Sequence, residues 1–126
     1  MMIGIVPDPL NWPDWPAIKA FLEPAAKRGG VPVLEAGEVV FAVYGEGLEG
    51  AATARLTVED FGEVVLVGGK DHRRWIHELD RAIGDAMRDA GMKTVRAYGR
   101  KGWSRVLKGW VEKGSANGNT FYERAL

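Results

Sequence analysis

The chain has 126 residues, enough for one hydrophobic core and too few for two independent ones. Its 17 Lys+Arg balance 17 Asp+Glu, so no global field draws it to nucleic acid or to an anionic membrane, and neither is expected as a partner. Cys is absent, which excludes disulfides, thiolate metal sites and a Cys nucleophile and fits a reducing, cytoplasmic setting. No apolar run approaches the roughly 20 residues of a membrane span. No basic region precedes the first apolar residues, so a secretory leader is not expected.

Met2 to Val6 is a short apolar run, predicted as a strand and stopped by Pro7-Asp8-Pro9. Asp14 is the expected N-cap of a helix, with Pro16 in its first turn. Ile18, Phe21, Leu22 and Ala25 recur at helical spacing up to Gly29-Gly30, and Pro24 is expected to kink or end that helix. Residues 1–37 thus form a Pro- and Trp-rich N-terminal strand and helix region of a single domain, and residues 38–126 form its core. The segment holding Trp12 and Trp15 either caps that core or offers a contact surface.

From Glu38 the pattern changes. Val39 to Tyr44, Ala51 to Val58 and Phe61 to Val67 read as three strands of an antiparallel meander. Small residues in the second strand suggest close approach of another backbone. Gly68-Gly69 reads as the turn that closes the third strand. Trp75, Ile76, Leu79, Ala82, Ile83, Ala86, Met87 and Ala90 then make one apolar stripe on a long helix. Asp71 is its expected N-cap and Gly91 its C′ residue. Arg74–Glu78 and Arg81–Asp85 are expected as surface pairs. Lys93 to Tyr98 is a further strand, Gly102 to Trp110 a short helix, Gly114 to Asn119 a mobile loop and Thr120 to Leu126 a last strand.

His72 and His77 are five residues apart, so they do not share a helix face, and no metal site is expected. Lys70, Arg73 and Arg74 cluster before the long helix, where cations oppose the helix dipole; a bound anion or an acidic partner surface would explain them. Gly99-Arg100-Lys101-Gly102 is either a phosphate or partner contact or a polar turn.

The order of elements, a meander, a long helix, a strand, a short helix and a final strand, resembles the GCN5-related N-acetyltransferases (GNAT). The likeness runs from Glu38 to Leu126. Gly68-Gly69-Lys70-Asp71 resembles their phosphate turn, and Gly109-Trp110 stands where the family often has Gly-Phe. Within the family the Gly-Gly turn and Gly99 to Trp103 are most like small phage-encoded members, among them acetyltransferase-like internal virion proteins.

That resemblance implies an α+β fold with a mixed, mostly antiparallel sheet flanked by helices. It implies acetyl-CoA as cofactor, held by Val65, Val67, Gly68, Gly69, Lys70, Arg73 and Arg74, and a small-molecule or protein amine as acceptor. Glu63 is the implied base and Tyr98 the implied acid. Two departures stand beside it. The family's loop glycines fall near Arg74 and Ile76, and its helix tyrosine falls near Arg105 and Val106. Two functions therefore stay open: an acyl-CoA-dependent N-acetyltransferase, or a non-catalytic GNAT-like protein that docks on a protein partner, in the cytoplasm or within a phage-like particle.

Overall fold

The computed structural model describes residues 1–116 and 118–126. Seven strands form one sheet: β1 (Met2–Val6), β2 (Val39–Tyr44), β3 (Leu48–Leu56), β4 (Phe61–Gly69), β5 (Thr94–Gly99), β6 (Val111–Ala116) and β7 (Asn119–Ala125). Their spatial order is β1-β2-β3-β4-β5-β7-β6. Among the described residues only β4 and β5 pair in parallel; the other neighbours are antiparallel. Helix α1 (Trp15–Gly29) covers one face and α2 (Ile76–Asp89) the other, with a short α3 (Trp103–Val106) after β5. This is the mixed, mostly antiparallel sheet flanked by helices that the sequence predicts.

Two core clusters follow from strand alternation. Val40 and Ala42 of β2 pack with Ile18 and Leu22 of α1, whereas Phe41 and Val43 pack with Trp75 and Leu79 on the α2 side. A strand buried on both faces reads as a continuous apolar run, which is why β2 was legible. In α2 the expected stripe buries Ile76, Leu79, Ile83 and Met87, but Ala90 is exposed. Helix α1 runs through Pro24 to Gly29, because a proline removes one backbone bond without denying the neighbouring turns theirs.

Several expectations need correction. Asp14 stands at the N-cap position of α1 but makes no side-chain cap; its carboxylate accepts the Tyr44 hydroxyl instead, at 2.7 Å. Trp12 Nε1 donates to the same hydroxyl at 2.9 Å, so the N-terminal segment caps the core. Asp71 is not the cap of α2: it sits in the left-handed region (φ 50°), and a 3-10 turn over His72–Arg74 precedes the helix. Arg74 pairs with Glu49 and Asp85 with Arg88, in place of the two expected surface pairs.

Strand β3 begins three residues earlier than expected and ends at Leu56. The Trp75 ring lies against Gly50, and Ala51 packs in the cluster that α1 covers. Residues 111–116, partly expected as loop, form the edge strand β6, whose six residues are all exposed. Asn117, within that expected loop, lies outside the described residues.

Candidate functional site

The site begins with a break in sheet pairing. β4 and β5 are in register from Phe61↔Thr94 to Val64↔Ala97, and there the pairing stops. β4 continues to Gly69 beside β3 alone, so the backbone of residues 65–69 has no ladder partner on its β5 side. The break coincides with a bulge: Ala54 faces Val64 and Thr53 faces Leu66, which leaves Val65 as the extra residue. The bulge shifts the alternation. Val64 and Val67 pack on the α2 side, and Val65 and Leu66 on the α1 side.

A cavity of about 570 Å³ fills the parting of the two strands. Its α2 side is walled by Ile76, Leu79, Ala97, Trp103, Leu107 and Tyr122, and its α1 side by Phe21, Ala25, Val65 and Tyr98. Glu63, Gly68, Gly69 and His72 also line it.

The two glycines are the last residues of β4 rather than a turn, paired with Ala51 and Gly50. A side chain at Gly68 would collide with the Phe21 carbonyl oxygen of α1, a close approach of helix backbone to strand. Gly69 has φ 145°, and a side chain there would meet the Glu49 carbonyl. Lys70 follows, its N–H donating to the Glu49 carbonyl at 2.9 Å and its carbonyl accepting from Trp75 Nε1 at 2.8 Å. Arg73 is exposed on the 3-10 turn, and Arg74 Nε lies 3.6 Å from the Glu49 carboxylate. Of the seven residues expected to hold a cofactor, Val65, Val67, Gly68 and Gly69 line the cavity along the free edge of β4, whereas Lys70, Arg73 and Arg74 follow on the turn outside its lining.

Glu63 and Tyr98 lie on the face that α1 occupies. Gly62 and Val64 turn to α2, so Glu63 turns away; Ala97 turns to α2, so Tyr98 turns away. Tyr98 is 55% exposed and tilts against Phe121, 5.1 Å between ring centroids. Glu63 Oε1 accepts from Arg55 at 3.0 Å. Arg55 and Glu63 belong to a row of alternating charge, Arg55, Glu63, Arg96 and Glu123, each opposite the next across β3, β4, β5 and β7. Arg96 closes the row on Glu123 at 2.9 Å with its guanidinium 3.8 Å above the Phe61 ring.

Three features of the site escape a reading of the sequence. Tyr122 is fully buried in the cavity wall, its hydroxyl donating to the Arg100 carbonyl at 2.6 Å and accepting from Trp103 N–H at 3.3 Å, so it anchors the start of α3. His72 meets Trp103 edge-on at 5.5 Å, joining the turn after β4 to α3. Asp80 on α2 accepts from Trp110 Nε1 at 2.9 Å and from Arg124 at 3.2 Å, which pins the helix to β7. The alternation of Thr120, Tyr122 and Arg124 in β7 was the available signal for the first and third.

Among the described residues no helix is long and apolar enough to cross a membrane. No protein-family model matches the chain, and no curated protein matches its sequence. Solved structures match it closely in shape. An IAA acetyltransferase from Bacillus cereus superposes with TM-score 0.73 at 12% identity, covering 99% of each chain. A ribosomal-protein-alanine N-acetyltransferase from Brucella melitensis gives 0.70 at 15% identity over 100% of each. An acetyltransferase from Bacillus subtilis, solved in complex with CoA, gives 0.66 at 10% identity over 98% of this chain and 97% of that one. What is shared at such identities is the architecture: the chain has the α+β fold of the GCN5-related N-acetyltransferases.

Proposed function

We propose that the chain binds an acyl-coenzyme A, with acetyl-CoA the simplest, in the parting of β4 and β5 and transfers its acyl group to an amine. The observation that carries this reading is the free edge of β4 over residues 65–69 facing a 570 Å³ cavity. An extended arm with amide groups adds to such an edge as another strand would. The apolar walls at Val67, Ile76, Leu79 and Ala97 fit its methylenes. Lys70 and Arg73, exposed at the turn before α2, put two cations ahead of that helix, which fits a pyrophosphate.

When bound, acyl-CoA supplies an activated thioester. The chain's own contribution is positional and acid–base. Glu63, its Oε1 held by Arg55, is the carboxylate that takes a proton from the incoming amine, and Tyr98, on the same face, is the phenol that returns one to the leaving thiolate. The acceptor then enters from the α1 face. In a thermal-shift titration, acetyl-CoA at a hundredfold over its dissociation constant stabilises the fold by about 2.7 kcal/mol. Glu63→Gln and Tyr98→Phe each lower thiol release by ~10²-fold. No shift at millimolar acetyl-CoA contradicts the reading.

A second reading keeps the fold without the reaction, as a protein that docks on a partner, in a phage-derived particle or elsewhere. The observation in its favour is that α3 spans only Trp103–Val106 and carries no phenol, while Tyr98 is turned to the opposite face from α2. It predicts a partner recovered in pull-down, lost on Arg100→Ala, and no thiol release.

A further inference from the structure

The α1-side mouth of the cavity has an electrostatic character that selects among amines; the inference rests on the acyltransfer reading above. The mouth is walled by Phe21, Pro24, Ala25 and Val31 from α1 and the segment after it, and by Val65 and Tyr98 from the parted strands. Four charged residues line the cavity as a whole: Arg28, Glu63, Asp80 and Arg100.

Glu63 is engaged by Arg55 at 3.0 Å. The neighbouring carboxylates on this face are engaged as well, Glu35 by Arg55 at 3.5 Å and Glu123 by Arg96 at 2.9 Å. Arg28 and Arg100 take part in none of the ion pairs among the described residues. They come from opposite sides, one from the last turn of α1 and the other from just past the end of β5.

A polycation entering this cavity meets Arg28 and Arg100 in its lining, and both lining carboxylates, Glu63 and Asp80, are already engaged, which is a repulsive arrangement. An amine that also carries an acid group meets two planar guanidinium forks, which bind carboxylate and phosphate oxygens by charge-assisted hydrogen bonds. The apolar wall suits an apolar body between the two ends. We propose that the acceptor is an amine bearing a carboxylate or phosphate, of the size of an amino acid with an apolar side chain, and not a polyamine or an aminoglycoside.

The test compares matched acceptors by thiol release from acetyl-CoA: phenylalanine against 2-phenylethylamine, O-phosphoethanolamine against ethanolamine, and spermidine and kanamycin alone. The acidic member of at least one pair is turned over with a kcat/KM ~10-fold or more above its neutral partner. Whichever pair shows the preference identifies the acid as carboxylate or phosphate. Arg28→Gln and Arg100→Gln each raise KM for the acidic member ~10-fold and collapse the ratio within the pair. A parallel thermal-shift titration with acetyl-CoA reports on the cofactor site alone. Turnover of spermidine, kanamycin or the neutral partners at equal or better efficiency overturns the inference and leaves the acyltransfer reading standing. An intact acetyl-CoA shift with no release from any amine also overturns it. Loss of the acetyl-CoA shift in the unmodified protein overturns the underlying reading instead.

Discussion

The carboxylate of Glu49 and the guanidinium of Arg74 form an ion pair, 3.6 Å from Oε1 to Nε, beneath the turn that leads from β4 into α2. Glu49 is the extra residue of a bulge in β3, between Val43↔Gly50 and Tyr44↔Leu48, and the bulge drives its side chain inward to 8% exposure. Its carbonyl also holds the Lys70 N–H, so one residue fixes the turn at both ends. A turn that lacks loop glycines is shaped from below by a buried acid. Of the three clustered cations, Arg74 is a strut, and Lys70 and Arg73 take part in none of the ion pairs among the described residues.

Arg74→Gln strands a buried carboxylate and is expected to cost about 1–2 kcal/mol, moderated by the solvent exposure of the arginine. Lys70→Gln and Arg73→Gln, on the exposed side of the turn, stay within about 0.5 kcal/mol of the unmodified protein. Urea denaturation separates them. Equal midpoints for all three variants would show that the pair contributes nothing.

Gly68→Ala tests the approach of α1 to β4. The added methyl meets the Phe21 carbonyl oxygen, so the helix must move outward. Overpacking of this kind costs about 1–3 kcal/mol. A variant with an unchanged midpoint would place α1 farther from the sheet than described.

Tyr44 predicts an alkaline limit. Burial holds its phenol above the ordinary value of 10.0, and the neighbouring Asp14 adds to the effect against the Trp12 donor. A phenol with a raised folded-state pKa contributes stability that is fully present below pH 10 and is lost as pH rises through the folded value. Tyr44→Phe is expected to cost about 1 kcal/mol at neutral pH and to flatten the alkaline loss. A variant whose stability falls above pH 10 as steeply as the unmodified protein's would assign the effect to another group.

Leu79→Ala opens a cavity beside Trp75 in the α2-side core and is expected to cost about 2–5 kcal/mol. Leu79 is 1% exposed, so a midpoint that barely moves would contradict the assignment of the buried face.

Much of the fold was legible because its longest elements have one dominant period. The stripe of Ile76, Leu79, Ile83 and Met87 fixes α2, and β2 and β4 are apolar enough to be strands in any context. β6 was hidden because Val-Glu-Lys-Gly-Ser-Ala buries nothing; backbone bonds to β7 alone hold it. Gly68-Gly69 reads as a turn because glycine commonly supplies positive φ. Here the first glycine answers a helix packed against the sheet, a contact 47 residues away in sequence and invisible locally. The candidate site was legible only as a list along β4. That Val65 is bulged, that β5 departs at Ala97 and that Arg74 belongs to Glu49 are facts of pairing between distant strands, which no local pattern encodes.

Backbone amide exchange of the protein with and without saturating acetyl-CoA tests whether the free edge of β4 receives the proposed acyl-CoA. Slowed exchange is expected at residues 65–69 of β4 and in the turn through Arg74 and nowhere else, with β1 and β6 unchanged. Binding with no protection along β4, or no binding at all, would contradict that proposal.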